Sequence, residues 1–104
     1  MASFNADGVS LASLELLRQQ FAVSLHKRGY PVQITHMETV REPMWDSLYI
    51  RYMAKTRDGK LWQFIVKLTD AQATDMSTWY GVLLDSAVDN EHLQKFKALA
   101  VLES

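Results

Sequence analysis

Residues 48–68 read Leu48-Tyr-Ile-Arg-Tyr-Met-Ala-Lys-Thr-Arg-Asp-Gly-Lys-Leu-Trp-Gln-Phe-Ile-Val-Lys-Leu68, two alternating β-rich runs on either side of Asp58-Gly59. Such a pattern predicts a β-hairpin, because Gly59 takes the positive φ that these turns need without steric cost. The register follows from burial. A three-residue loop of Arg57, Asp58 and left-handed Gly59 opposes Ala54 to Trp62, Tyr52 to Phe64, Ile50 to Val66 and Leu48 to Leu68. All eight then share one face. A two-residue Asp-Gly loop would instead oppose Lys55 to Trp62, Arg51 to Val66 and Ile50 to Lys67. A one-residue slip sends side chains to the wrong face, so a buried face selects the first register.

In that register the other face of the hairpin presents Tyr49, Arg51, Met53 and Lys55 beside Lys67, Ile65, Gln63 and Leu61. The mixture is too apolar for a wholly solvated face and too charged for a core. Long cationic side chains lying over a few apolar neighbours are one account of it. The other is a binding face for a protein partner or a second copy of the chain, since Tyr, Met and Arg are enriched at interfaces.

Upstream, Leu11, Leu14, Leu17, Phe21 and Leu25 recur at three- and four-residue spacing and predict a helix capped by Ser10 or Asp7. His26, Lys27 and Arg28 fall in its last turn, Gly29 is placed for a left-handed C-cap, and Pro31 stops continuation. Residues 1–8 read as a flexible lead-in. From Pro31 to Val40 a strand is expected, with Val32, Ile34, His36, Glu38 and Val40 on one face and Gln33, Thr35, Met37 and Thr39 on the other. Neither set is cleanly apolar, which places the strand at a sheet edge or leaves it half exposed.

Downstream of the hairpin, Thr69-Asp-Ala-Gln72 has the pattern of a capping box and opens a second helix. Trp79 to Leu84 either continues that helix through Gly81 or forms a fourth strand, because short apolar runs are ambiguous by periodicity. Trp79 and Tyr80 are expected in the core. Asp89 or Asn90 caps a last helix with Leu93, Phe96, Leu99 and Ala100 on one side, and a break is expected near Val88 to Asn90. The order is helix, three-stranded antiparallel meander, then one or two helices on the same face: a single α+β domain built as a two-layer sandwich.

Composition excludes several functions. The 104-residue chain has no cysteine, so disulfides, thiol catalysis and cysteine metal sites are absent. There is no run of about 18 apolar residues to span a membrane, and the N-terminal residues lack the basic-then-apolar pattern of a secretory signal. A cytoplasmic location is the simplest expectation. His26, His36 and His92 fall in three different elements without zinc-motif spacing, although His36 and Glu38 share a strand face. No nucleophile elbow is present, and the isolated Gly8, Gly29, Gly59 and Gly81 make no phosphate-cradling loop. The expectation is therefore a non-enzyme without metal or cofactor.

The net charge of −1 conceals an asymmetry: residues 18–67 carry nine Lys/Arg against four Asp/Glu, and residues 68–104 carry two against six. The leading expectation is a small protein–protein interaction module (an adaptor, inhibitor or regulatory subunit) docking through Tyr49, Arg51, Met53, Lys55, Ile65 and Lys67. Met44 and Trp45, in the connection after Pro43, would join that surface as an anchor. Folding of Trp45 back over the end of the core is the more economical reading of the indole itself.

A second class is nucleic-acid binding through the hairpin cations Arg51, Lys55, Arg57, Lys60 and Lys67. The element order of helix, three-stranded sheet and helix is similar to that of double-stranded RNA-binding domains, which implies recognition of duplex shape and phosphates. The basic start of the last helix in that family is replaced here by the acidic stretch Asp70-Ala-Gln-Ala-Thr-Asp75. A small-ligand pocket lined by Tyr52, Trp62 and Phe64 is a third class, with core packing the better account of those rings.

Overall fold

The structure is a computed structural model that describes residues 3–103. Helix α1 (Leu11–Lys27) is followed by strands β1 (Val32–Glu42), β2 (Ser47–Thr56) and β3 (Leu61–Lys67). A single-turn helix α2 (Asp70–Ala73), a 3₁₀ turn (Met76–Thr78) and helices α3 (Trp79–Asp89) and α4 (Glu91–Glu103) complete the chain. The strands form one antiparallel sheet in the order β1-β2-β3.

The hairpin has the register that burial selects. Ala54 opposes Trp62, Tyr52 opposes Phe64 and Ile50 opposes Val66. The Leu68 N–H donates to the Leu48 carbonyl at 2.9 Å, which extends the pairing by one more step. Gly59 has φ +86°, and its N–H reaches the Thr56 carbonyl at 3.0 Å. Seven of the eight inward residues are buried, and Trp62 is half-buried against the last helix.

Against this face pack Leu14, Leu17, Phe21 and Leu25 of α1, Trp79, Leu83 and Ala87 of α3, and Leu93 of α4. Leu11 and Leu99, expected on the apolar stripes of their helices, are exposed, at 47% and 53%. Tyr80 is also exposed, a correction to its expected core position. One residue after the buried Trp79, it points off α3 and meets the Ser24 hydroxyl of α1.

Local chemistry accounts for the helix ends. Ser10 Oγ accepts from the Ser13 N–H at 3.3 Å. At the far end of α1, Tyr30 N–H returns to Leu25 O and Gly29 N–H to His26 O, both at 3.0 Å, with Gly29 at φ +86°. Those two bonds make a Schellman motif. Thr69 and Gln72 form the reciprocal capping box, but α2 stops after one turn. Trp79 to Leu84 is helical, and the chain breaks at Asn90, whose Oδ1 accepts from the N–H groups of His92 and Leu93 at 3.0 and 3.1 Å.

Strand β1 departs from simple alternation. Ile34 pairs with Ala54 and His36 with Met53, so Thr35 is an extra, bulged residue. The bulge switches the faces: Val32 and Ile34 point to the core, and beyond it Met37 and Thr39 take the core side. His36, Glu38 and Val40 therefore lie on the opposite face from Val32 and Ile34, not with them as strict alternation requires. This is why neither alternating set is apolar throughout. The lead-in packs on the core side of this strand. Asn5 Nδ2 donates to Thr39 Oγ1 at 2.6 Å, Thr39 Oγ1 donates to Asp7 Oδ2 at 2.7 Å, and Asn5 Oδ1 accepts from the N–H groups of Asp7 and Val9.

Candidate binding surface

All the core-forming helix residues pack on one side of the sheet, which leaves the other side without a covering layer among the described residues. Cross-strand pairing brings the outward residues into rows: His36, Met53 and Gln63; Glu38, Arg51 and Ile65; Val40, Tyr49 and Lys67. Six of the residues singled out from the sequence therefore lie together. Tyr49, Arg51 and Met53 form the half-buried central line, with Lys55, Ile65 and Lys67 exposed around it. Ile65 is 58% exposed and Leu61 is 55% exposed.

Charge on this face runs across the strands. Glu38 and Glu42 sit on β1, and Arg51 on β2 forms an ion pair with Glu38. Lys55 at the end of β2 and Lys67 on β3 have no carboxylate partner among the described residues. The Glu38–Arg51 pair ties the polar groups beside Met53 and the bulge, where His36, Met37, Glu38, Arg51 and Met53 line a shallow depression of about 170 Å³. His36 Nδ1 is engaged by Thr35 Oγ1 at 3.0 Å.

The connection between β1 and β2 corrects the expectation for Trp45. Met44 is 77% exposed and Trp45 is 71% exposed, so the indole does not fold over the core. The cause is the tight turn. Glu42 pairs with Ser47, leaving four residues to reverse the chain, and Asp46 takes φ 49° to do it. Arg41 Nη1 holds Asp46 Oδ1 at 3.0 Å and its Nε holds Asp7 Oδ1 at 3.2 Å, which braces the base of the turn and leaves its apolar tip outward.

No group of three His, Asp or Glu side chains among the described residues is arranged to hold a metal ion. Tyr52 and Phe64 are core residues in ring contact with each other, and Trp62 packs against His92 and Phe96, so the three do not line a ligand pocket. No described helix is long and apolar enough to cross a membrane. The sequence reading missed the cluster that tertiary folding builds at the hairpin tip. There His26 of α1, Lys55 and Arg57 of the hairpin, and Phe96 and Leu99 of α4 line two adjoining grooves. Compared with family models, with curated proteins and with solved structures, the chain finds no match.

Proposed function

We propose that the protein is a non-enzymatic interaction module that docks a protein partner through the open face of its sheet, with the Met44-Trp45 turn as an anchor. The observation that carries this reading is the exposure of Trp45 and Met44 on a braced turn next to an uncovered face holding Tyr49, Met53 and Ile65. Large apolar side chains held outward at low conformational freedom are the material of interface anchors. Arg51 and the outlying Lys55 and Lys67 would supply the polar rim, and a cytoplasmic setting accords with a chain free of cysteine.

Binding of duplex RNA has less support. The acidic Thr69–Asp75 segment begins where β3 ends, opposite the hairpin tip that carries Lys55, Arg57 and Lys60. A phosphate backbone reaching from the sheet to the following helices would meet carboxylates at one end.

The test is an affinity pull-down from host lysate with nuclease present, comparing the wild type with a Tyr49→Ser/Met53→Gln/Ile65→Thr variant and with Trp45→Ala. The expected outcome is a stoichiometric protein partner that both variants lose while their far-UV circular dichroism stays unchanged. A partner retained by both variants would sink the reading.

A further inference from the structure

The cations of this chain fall into two classes. Arg18 pairs with Glu15, Arg41 with Asp7 and Asp46, Arg51 with Glu38, and Lys60 more loosely with Asp58 at 3.7 Å. Lys27, Arg28, Lys55 and Arg57 have no carboxylate partner among the described residues, and folding gathers all four at one end of the molecule. Lys27 and Arg28 end α1, beside His26, and the β2–β3 turn brings Lys55, Arg57 and Lys60 to the same end. Lys97 of α4 lies over the Tyr30 ring, 5.1 Å from its centroid. Asp58 stands among them: it accepts from Thr56 Oγ1 and the Lys60 N–H, its Oδ2 lies 3.7 Å from Lys60 Nζ, and these contacts lower its pKa.

Helix-dipole compensation accounts for Lys27 and Arg28 at the C-terminus of α1. It does not account for Lys55, Arg57 and Lys60, which stand on the hairpin. Like charges from three segments, of which the Asp58 carboxylate offsets one at Lys60, repel one another in the folded state. An anionic ligand would relieve that repulsion.

The shape of the pole selects among anions. Between the hairpin tip and α4 runs a groove of about 490 Å³, lined on one side by Arg57, Asp58 and Lys60 and on the other by Trp62, Phe96 and Leu99. Leu99 is 53% exposed there. A nucleic-acid strand needs open aromatic faces on which bases stack. Here the Trp62 ring is already in contact with His92 (5.5 Å between centroids) and Phe96 (5.1 Å), and Pro31, Leu99 and Ala100 make up the rest of the apolar lining. We propose that this basic pole is a docking site for an acidic protein segment, its carboxylates on Arg57, Lys60 and Lys55 and an apolar side chain in the groove against Leu99 and Phe96. This goes beyond the sheet-face reading and does not depend on it.

Fluorescence anisotropy with a labelled synthetic peptide of alternating glutamate and leucine tests the proposal, beside its glutamine–leucine counterpart and a single-stranded oligothymidylate. The glutamate peptide is expected to bind at low ionic strength and to weaken steeply as salt approaches physiological levels. The glutamine peptide, the Arg57→Gln/Lys60→Gln variant and Leu99→Asp should each bind about tenfold more weakly or worse. Lys67→Gln, at the other end of β3, should bind as the wild type does. All these side chains are exposed, so the variants are expected to fold, and circular dichroism checks it. Oligothymidylate binding as tight as the peptide's would overturn the proposal in favour of nucleic acid. Salt-sensitive self-association in sedimentation would assign the pole to a second copy instead. Failure of the peptide to bind, or unweakened binding by the pole variants, would also overturn it, and none of these outcomes touches the Tyr49/Met53/Ile65 test.

Discussion

Tyr52 lies at the centre of the inner face of the sheet, edge-on to Phe21 at 5.1 Å and stacked on Phe64 at 5.3 Å. Its ring belongs there, but its buried hydroxyl has no hydrogen-bond partner among the described residues, and burial pushes its pKa up. An unpaired buried hydroxyl costs about 1–3 kcal/mol of desolvation. Tyr52→Phe should therefore leave stability to urea unchanged or raise it by about 1 kcal/mol; a clear loss would mean that the hydroxyl is satisfied in solution. Glu15 is the opposite case. Hydrogen bonds from Arg18 and Gln19 hold its carboxyl down at about 2, against an ordinary 4.5. Because the folded value is depressed, this contribution is complete above pH 4.5 and is lost as pH falls through about 2. Glu15→Gln should flatten the acid limb of a melting-temperature profile within that window and leave neutral-pH cooperativity unchanged.

At the scale of elements, β1 shows how a sheet edge is defended. The bulge at Thr35 interrupts the ladder, and Arg18 reaches from α1 to the Ile34 carbonyl while its other nitrogens hold Glu15. Both devices discourage another strand from adding at this edge. Because Thr35 is the surplus residue, its deletion joins Ile34 to His36 without moving either face. The deletion variant should fold with a loss of about 1 kcal/mol or less, yet aggregate faster by light scattering. Helix α2 makes the complementary point. Its capping box starts the helix, but Thr74 Oγ1 then donates back to Ala71 O at 3.1 Å, and Asp75 Oδ1 accepts from the Ser77 N–H at 3.1 Å. Short polar side chains compete with helix propagation in this way, so the chain turns through a 3₁₀ segment before α3.

At the scale of the whole molecule, 43 Å in its longest dimension, charge is distributed unevenly between the two ends of the sheet. Strand register and chain order put Glu42, Asp46, Asp70 and Asp75, together with Arg41 and Lys67, at one end, and Lys55, Arg57 and Lys60 around Asp58, with the end of α1, at the other. Exposed ion pairs such as Arg51–Glu38 add little stability, so repulsion within the basic pole should dominate the response to salt. Raising ionic strength from low to physiological should increase the melting temperature by a few degrees, corresponding to about 1 kcal/mol or less. Arg57→Gln/Lys60→Gln should reduce that increase. A melting temperature that falls with salt in this range would contradict this polarity.

Local signals sufficed for what depends on local chemistry. Alternation around Asp58-Gly59 determined the hairpin and its register, the Leu11/Leu14/Leu17/Phe21/Leu25 spacing with Gly29 determined α1 and its stop, and Asp89-Asn90 marked the break before the last helix. The outward set of Tyr49, Arg51, Met53, Ile65 and Lys67 followed from the same register. Three features were decided only by tertiary structure. The bulge at Thr35 arises where β1 must meet both Ala54 and Met53, and no residue type in β1 announces it. Trp45 stays outward because Arg41 reaches Asp7 and Asp46 at once, an arrangement that exists only after the lead-in has packed on Thr39. The basic pole joins residues near 27, 57 and 97, and its charge is diluted in any window of the linear chain. Spacing along a sequence fixes which side chains share a face of one element; how faces and ends from distant elements meet is set by packing around the common core.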